Sequence, residues 1–447
     1  MRLSTPENLR DLQRKLYVKS KQEPEYRFYS LYDKICRRDV LEHAWRLVRA
    51  NRGAAGIDGV TIEAVEEQIE ELLDALQEEL KSRRYCPEAV RRVYIPKPDG
   101  RRRPLGIPVV RDRIVQAAAK LVLEPIFEAR FEPISYGYRP QRSAADAMER
   151  VRMVCHGRRW AIEVDIEGYF DSVDHRRLMA ILARKIADGA VLALIRGWLN
   201  AGIVEPDGRR VRPSRGVPQG GVISPLLSNV FLHMFDRYWR VKGLSKKAGP
   251  WDGQLIRYCD DMLVITGSDP ERLIGMLERR LASMGLRLNR QKTHIVDLDV
   301  QSAHFLGFEI RRLRNWRDGG SWLRIAPSRK AEAQIRRKVR RIVSHRRPVS
   351  LRDMVSQVNP VLRGWVSYFR RCNASSSLQR IHEYSEFKVR KVIQRRRRYC
   401  TFEWHHVSLS EIYDAMGLYN DYTVLPCMSS RESHRRAVCG KTARTVR

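Results

Sequence analysis

The chain has 447 residues, 43% of them hydrophobic, so it can bury a substantial core and is not a disordered protein. Its 85 Lys and Arg residues outnumber its 52 Asp and Glu residues, which gives a formal net charge of +33. Such a surface repels itself unless a polyanion neutralises it, and this favours a nucleic acid as partner. An anionic membrane is the alternative, but the sequence has no run of about 18 apolar residues and no signal-peptide core, so we expect no membrane partner.

The length of the chain and its cysteines indicate how many domains it has and whether its thiols are free. At about 100–200 residues per domain, the chain is long enough for two to four domains. Its eight cysteines form no CxxC pair, which indicates neither a zinc knuckle nor a redox pair. Their scatter fits free thiols in a reducing compartment and predicts a cytoplasmic protein.

The N-terminal part of the chain is predicted to be helical. A glycine-rich loop covers residues 51–61, and Thr61 is expected to cap the next helix, because its hydroxyl can accept a hydrogen bond from a free amide at the helix start. Apolar residues then recur at helical spacing from Val65 to Leu80. This spacing predicts one stripe of a single helix, packed on a core.

Strand and helix signals alternate in the next part of the chain. Residues 91–108 contain a "PDG" turn between two short runs typical of strands. Residues 111–130 have helical periodicity. Residues 160–165 predict a buried strand that ends near Asp165 and turns into a helix.

The central part of the chain predicts a helix and a hairpin. A Gly/Pro-rich turn leads into a helix in which Ser224 is expected to be the N-cap and Pro225 the first helical residue. Residues 255–266, "LIRYCDDMLVIT", predict two strands joined by a tight turn that contains both aspartates. A helix over 270–284 and a short strand over 304–310 follow.

The C-terminal part is strongly basic. Residues 311–347 contain 14 Lys and Arg against two acidic residues, and apolar residues such as Ile335 and Val339 share one helix face. Residues 388–398 contain seven basic residues and no acid. A solvated surface helix is one interpretation, but this charge density favours contact with RNA or DNA.

The paired aspartates in the predicted hairpin raise a chemical question, because two adjacent carboxylates between hydrophobic strands repel each other. A third carboxylate, Asp165, ends another predicted strand. Carboxylates at neighbouring strand ends can hold two Mg²⁺ ions ~3.5–4 Å apart for phosphoryl transfer. The alternative is that Asp260 and Asp261 are only turn residues.

The ordered set of motifs resembles the reverse transcriptases encoded by bacterial group II introns, also called intron maturases, from about residue 50 to about residue 425. "YCDD" (258–261) is similar to the family's YxDD box, which commonly has Ala where this chain has Cys259. Five other motifs carry the resemblance: "GAAGIDGVT" (53–61), "VDIEGYFDSVDH" (164–175), "GVPQGGVISPLLSNVFL" (216–232), "FLGF" (305–308) and "LRGWVSYFR" (362–370). The motif at 362–370 is similar to the signature of the maturase, or X, domain.

The resemblance implies roles for individual residues. Asp165, Asp260 and Asp261 would bind two Mg²⁺ ions, assisted by the Ile166 carbonyl. It also places five residues around the incoming dNTP. Lys97 and Arg103 would bind the triphosphate, and Phe170 would lie below the sugar and reject a 2′-OH. Gln219 would contact the nucleotide, and Lys292 would lie near the pyrophosphate. Judged by residue type alone, Lys97 can equally be surface charge and Phe170 a core aromatic.

Nucleic-acid contacts are predicted mainly for arginines. Arg139, in "SYGYRP", would contact the template backbone by resemblance. The basic C-terminal segments add Arg336, Arg337, Arg340, Arg363, Arg370, Arg395, Arg396, Arg397 and Arg398. Trp365, Tyr368 and Phe369 form a helical aromatic stripe, which is expected to be core packing.

The implied architecture is α+β. It is a right-hand polymerase with an α-helical N-terminal extension (1–85), fingers and a palm with an antiparallel sheet (86–315), a helical thumb and maturase X domain (316–425) and a basic C-terminal tail (426–447). About the last fifteen residues of the tail are expected to be disordered. After residue 400 no metal-ligand spacing is evident around His405 and His406. We therefore expect no C-terminal endonuclease, as in the compact members of the family.

The implied function is an RNA-directed DNA polymerase that binds group II intron RNA, assists its splicing and copies it into DNA. Its partners would be the intron RNA, a DNA primer or target and dNTPs, and it could act as a monomer on RNA. It would work in the cytoplasm and at the nucleoid. Three alternatives stay open: a reverse transcriptase recruited for DNA repair or phage defence, a splicing factor with an inactive polymerase, and an RNA-directed RNA polymerase, although the intact aspartates and Phe170 disfavour the last two.

Overall fold

The computed structural model describes residues 4–96, 100, 102–245, 251–314, 319–344, 348–399 and 401–426. The α-helices in this part of the chain, α1 to α15, are Glu7–Gln22, Tyr32–Ile35, Arg38–Ala50, Ile62–Glu67, Ile69–Lys81, Val110–Glu128, Ala144–Val154, Tyr169–Ser172, His175–Ala183, Gly189–Asn200, Ser224–Val241, Pro270–Ser283, Arg329–Ile342, Leu351–Phe369 and Ser375–Arg396. The β-strands, β1 to β11, are Val90–Pro96, Arg102–Ile107, Trp160–Val164, Ile203–Val204, Arg210–Val211, Gly253–Tyr258, Asp261–Thr266, His294–Asp297, Ala303–Phe305, Phe308–Arg314 and Ser321–Pro327.

The chain forms two compact units that interleave along the sequence. Unit 1 comprises Met1–Pro140, Asp165–Gly243 and Gly275–Asn289. Unit 2 comprises Gln141–Val164, Leu244–Ile274 and Arg290–Arg447. The domain boundaries predicted from the sequence stay a prediction, and the basic tail predicted over 426–447 lies, except for its first residue, outside the described residues.

Unit 1 is built around helix α6, which packs against α1 and α3 and is buried along most of its length. A four-stranded sheet, in the order β2-β1-β4-β5, lies in the same unit. Strand β1 pairs antiparallel with β2 and parallel with β4. The two strands predicted within 91–108 and the helix predicted at 111–130 are confirmed, whereas most of the predicted "PDG" turn lies outside the described residues.

Two local predictions in unit 1 need correction. Thr61 caps α4 as predicted, with its hydroxyl accepting from the Ala64 amide at 3.3 Å, but the stripe is not one helix, because Gln68 leaves the helical conformation between α4 and α5. Ser224 is not an N-cap. It is already inside α11, and its hydroxyl donates to the Pro218 carbonyl at 2.8 Å instead of accepting from the helix.

Unit 2 contains an antiparallel sheet in the order β6-β7-β3-β8. Strands β6 and β7 form the predicted hairpin, and β3 lies between β7 and β8. Every residue of β7 after Asp261 is buried, so the hairpin is anchored by its apolar strands.

A second sheet of unit 2 has the order β11-β10-β9. The short strand predicted at 304–310 is in fact two strands, β9 and β10, joined by a tight turn. Leu306 and Gly307 both have positive φ, 52° and 80°, as the favoured two-residue hairpin turn requires. The "FLGF" motif is therefore a hairpin turn.

Helices α13, α14 and α15 complete unit 2. The buried apolar face of α13, including Ile335 and Val339, packs with α14 and α15 into one core. The segment after α15 contributes Val407, Ile412 and Leu418 to that core. The predicted basic amphipathic helix is thus confirmed as α13, and the combination of helices with antiparallel sheets confirms the α+β class.

No helix within the described ranges has both the length and the apolarity to cross a membrane.

A buried carboxyl in α6 makes the stability of unit 1 depend on pH. Asp112 is 1% exposed and accepts hydrogen bonds from the Tyr85 hydroxyl at 2.6 Å and from the Glu88 amide at 2.9 Å. Burial outweighs these bonds and raises its pKa from 3.8 to about 6. A carboxyl with a raised pKa favours the folded state at low pH, and this contribution is lost as the pH rises towards the folded-state pKa.

We therefore expect Asp112→Asn to remove part of the pH dependence of folding. Between about pH 4 and pH 6.5, the melting temperature of the wild type should fall relative to that of the variant, by an amount equivalent to roughly 2–3 kcal/mol. The measurement is thermal unfolding of both proteins across this range. Parallel pH profiles would show that the pKa of Asp112 is the same in the folded and unfolded states, which would contradict the raised pKa.

Candidate active site

The paired aspartates lie at the end of the β6–β7 hairpin. Tyr258 and Asp261 form the last pair of the register, so Cys259 and Asp260 alone make the turn. Cys259 has a φ of 60°, in the left-handed region that a two-residue hairpin needs. Asp260 is half-buried and Asp261 is exposed, so both carboxylates stand at the tip of two buried strands.

A buried arginine supports this turn. Arg257, in β6, is fully buried, and its guanidinium donates to the Cys259 carbonyl at 2.9 Å. A buried cation is tolerated only where it makes such bonds, so Arg257 ties the turn to its own strand. No motif identifies this residue. The signal in the sequence is an arginine within the otherwise apolar run "LIRYC".

Asp165 comes directly after β3 and belongs to unit 1. Its carbonyl accepts from the Asn289 amide at 2.9 Å, and the Glu167 amide donates to the Arg287 carbonyl at 2.9 Å. Ile166, between them, lies opposite Leu288. The two bonds of this antiparallel pairing do not use the Ile166 carbonyl, which therefore points away from Leu288.

Three predicted nucleotide-binding residues are connected by one loop of unit 1. The Gly106 amide, in β2, donates to the Gln219 carbonyl at 2.6 Å, and the Val217 amide donates to the Phe170 carbonyl at 2.7 Å. The loop that contains Gln219 thus joins β2, which carries Arg103, to α8, which carries Phe170. The structure brings these elements together within one unit.

Close packing of this loop depends on glycine. Gly220 has a φ of 115°, and a Cβ atom at this position would lie 2.4 Å from the Gly106 carbonyl oxygen. Because that oxygen belongs to the backbone of β2, it cannot move aside as a flexible side chain would. The "PQGG" turn can therefore approach β2 only with glycine at this position.

The side chains of the predicted nucleotide set differ in exposure. Arg103 is exposed on β2, and Lys292 is exposed two residues before β8, in unit 2. Phe170 is half-buried and packs edge-to-face on Tyr169, with ring centroids 5.3 Å apart, so it is not a fully buried core residue. Lys97 lies outside the described residues.

The aromatic stripe of α14 packs on the "FLGF" turn. Phe308 contacts Phe369 and Tyr368, with ring centroids 4.8 Å and 5.5 Å apart, and the Tyr368 hydroxyl donates to the Leu306 carbonyl at 3.0 Å. Burial, together with the neighbouring Tyr258 and Asp261, raises the pKa of Tyr368 to about 12. The stripe is packing, as predicted, and it also brings Tyr368 within electrostatic range of the "YCDD" turn.

An arginine-rich groove of about 780 Å³ lies between the β10–β11 hairpin, α13 and α15. Glu332 at its edge binds Arg380 at 2.5 Å. The charged residues that line the groove are Arg324, Arg329, Arg336, Arg337, Arg340, Arg380, Glu309 and Glu332. Six guanidinium groups against two carboxylates make the groove a strongly positive surface.

The prediction for Arg139 is wrong. This side chain is buried, and its guanidinium binds the Glu128 carboxylate at 2.6 Å and the carbonyls of Glu132 and Ser135 at 2.7 and 2.8 Å. A guanidinium with these partners organises its own loop and is not available to a template phosphate. The motif "SYGYRP" does not reveal this, because its acidic partner Glu128 lies upstream of it.

Arg370 is also engaged within the protein. It binds Asp421 at 3.1 Å and donates to the Thr423 carbonyl at 3.2 Å, so it anchors the segment after α15. Arg363 is exposed and lies 5.6 Å above the Tyr419 ring. At the end of α15, Arg396 is half-buried, whereas the predicted residues Arg395, Arg397 and Arg398 are exposed. Arg397 is also paired with Glu411.

Two family profiles match the chain. Residues 95–310 match the profile described as "Reverse transcriptase (RNA-dependent DNA polymerase)". Residues 333–408 match "Group II intron, maturase-specific domain". The fold is therefore that of the right-hand polymerases, and the class is that of RNA-directed DNA polymerases.

Curated relatives agree with this class. Protein YkfC of Escherichia coli is 37% identical over 343 residues, which cover 68% of this chain and 89% of YkfC. The group II intron-encoded protein LtrA of Lactococcus lactis is 37% identical over 212 residues, 47% of this chain and 35% of LtrA. A 91 kDa protein in the cob intron of Schizosaccharomyces pombe is 27% identical over 406 residues, 75% of this chain and 50% of that protein. The chain belongs to the family of bacterial group II intron reverse transcriptases, as its motifs predicted, and it spans half or less of LtrA and of the yeast protein.

The close approach of the "PQGG" turn to β2 can be tested with Gly220→Ala. The added methyl group should push Gln219 away from β2, lower the melting temperature and raise the KM for dNTPs several-fold. Gly208→Ala is the matched control, because Gly208 also has a positive φ, 85°, but open space around its Cβ position. Equal effects of the two substitutions would attribute the loss to backbone strain and not to the contact with β2.

Proposed function

We propose that Asp165, Asp260 and Asp261, with the Ile166 carbonyl, hold two Mg²⁺ ions and that this site extends a DNA primer with dNTPs on an RNA template. The observation that carries the proposal is the register of β3 and β7, in which Val164 lies opposite Met262. Asp165 directly follows Val164 along the chain, and Asp261 directly precedes Met262. Carboxylates that end neighbouring strands are ligands with which a protein can hold two Mg²⁺ ions.

The donor set suits Mg²⁺, which prefers carboxylate and carbonyl oxygens. When bound, the two ions supply charge stabilisation for in-line attack of a 3′-hydroxyl on the α-phosphate and for the departing pyrophosphate. The exposed Asp261 and half-buried Asp260 give the site an accessible side. The Ile166 carbonyl, unused in the pairing with Leu288, is a further ligand.

The surrounding residues bind and orient the nucleotide. Arg103 and Lys97 bind the triphosphate, since a guanidinium and an ammonium can both bind phosphate oxygens. Gln219 contacts the nucleotide from the loop that is bonded to β2. Phe170 packs below the sugar and excludes a 2′-OH, and Lys292 assists proton transfer to the pyrophosphate.

The basic surfaces of unit 2 bind RNA. Arg336, Arg337 and Arg340 line the groove of six arginines, and Arg363, Arg395 and Arg398 are exposed. Phosphate neutralisation by such arginines gives strong, salt-dependent affinity. With the maturase-specific match, this supports binding of group II intron RNA, assistance to its splicing and its copying into DNA. These substrates would be met in the bacterial cytoplasm and at the nucleoid.

The polymerase is tested by primer extension on an RNA template with dNTPs and Mg²⁺. Asp260→Ala should lower the extension rate by at least about 10²–10³-fold, as expected for loss of transition-state charge stabilisation, and should leave RNA affinity intact. Asp207→Ala, in the turn between β4 and β5, is the matched control and should extend primers normally. If RNA binding collapses together with extension, the aspartate is structural. Wild type that binds RNA but never extends a primer would instead make the protein a splicing factor.

The RNA surface is tested by salt dependence. The double change Arg337→Ala and Arg340→Ala should weaken RNA binding and flatten the slope of log K against log salt by about 1.4–1.8, at about 0.7–0.9 per lost phosphate contact. Arg14→Ala is the control, because Arg14 is a highly exposed arginine of unit 1. A slope equal to that of the control would exclude the groove as an RNA-binding surface.

A further inference from the structure

A group of potential metal ligands lies after α15, outside the polymerase site. The Glu403 carboxylate oxygen Oε2 is 3.0 Å from His405 Nε2 and 3.5 Å from His406 Nε2. All three ligand atoms lie within 4.8 Å of one another. The sequence shows no ligand spacing here. The three residues converge because residues 404–406 form a tight 3₁₀ turn.

The backbone that carries these ligands is held by two buried side chains of α15. Gln394 is bonded to both the amide and the carbonyl of Glu403. Arg390, 4% exposed, donates to the carbonyls of Trp404 and Val407. Buried polar groups on both sides of the turn fix its conformation, so the ligands are preorganised.

The histidine rings are oriented towards the carboxylate. His406 stacks on Tyr399, with ring centroids 4.2 Å apart. Its Nδ1 atom is buried and makes no hydrogen bond to any residue that the structure describes. Only Nε2, the atom that faces Glu403, is therefore available to a ligand.

The spacing fits a tetrahedral ion. With metal–ligand distances of ~2.0–2.2 Å, neighbouring donor atoms of a tetrahedral site lie ~3.3–3.6 Å apart. The two distances from Glu403, 3.0 and 3.5 Å, need only small shifts to reach this geometry. His405 is 75% exposed and Glu403 45% exposed, so a fourth position is open to water.

We propose that Glu403, His405 and His406 form a Zn²⁺ site. Two imidazoles and one carboxylate are a ligand set of zinc, whereas Mg²⁺ prefers oxygen ligands. The ion would cross-link the turn that follows the basic end of α15 and stabilise this part of the maturase-specific domain. The site is independent of the polymerase aspartates.

The test is titration of the full-length protein with Zn²⁺, and with Co²⁺ as a spectroscopic probe, in excess Mg²⁺ so that carboxylate sites are occupied. The wild type should bind one Zn²⁺ that His405→Asn does not bind, and Zn²⁺ should raise the melting temperature of the wild type only. Loss of a ligand should cost more than the roughly 10–100-fold in affinity that outer partners contribute. Glu403→Gln should weaken binding as well.

His156→Asn is the matched control, because His156 is also exposed and belongs to no such group within the described ranges. His405→Asn is chosen over changes to the stacked His406, since its exposed ring should not be needed for folding. Zinc bound equally by wild type, His405→Asn and His156→Asn, for example on cysteines, would overturn the proposal. So would a wild type that binds no Zn²⁺ with micromolar or better affinity.

Discussion

The antiparallel pairing of β3 with β7 is the constraint on which the candidate active site depends. It places Val164, the last residue of β3, opposite Met262, the residue that follows the paired aspartates. The register of this pairing is fixed, because a slip by one residue would turn the apolar side chains of the strand from the buried face of the sheet to its opposite face. The buried apolar residues of β7 oppose such a slip. They anchor the hairpin whose turn carries the two adjacent carboxylates.

The same hairpin has supports that are not part of the chemistry. Arg257 bonds the carbonyl of the left-handed Cys259, and α14 brings Tyr368 within electrostatic range of the turn. The "FLGF" turn is the platform for that helix, since Phe308 contacts both Tyr368 and Phe369. Residues that match the reverse transcriptase profile and residues that match the maturase-specific profile therefore share one aromatic cluster inside unit 2. A substitution in the reverse transcriptase region can therefore alter the packing of the maturase-specific region, and the reverse also holds.

Charge has two separate uses in this protein. Some arginines are buried with carboxylates or carbonyls and stabilise local structure, as Arg139 and Arg390 do. Others line a groove in which six guanidinium groups face only two carboxylates. The residue type is the same in both cases. Only the position of a glutamate or of a backbone carbonyl decides which arginines remain available to a polyanion.

The sequence by itself determined the family, the α+β class, the hairpin at 255–266 and the amphipathic α13, because these depend on short-range patterns and ordered motifs. Tertiary structure decided the rest. Arg139 proved structural because its partner Glu128 is eleven residues away, and the helix predicted from Thr61 breaks at Gln68 although its apolar spacing continues. Gly220 needs its lack of a side chain because of Gly106, more than a hundred residues upstream, and the backbone that carries Glu403 is held by bonds to α15. A pattern along the chain reports which faces are apolar, whereas which polar groups meet depends on contacts that the fold alone creates.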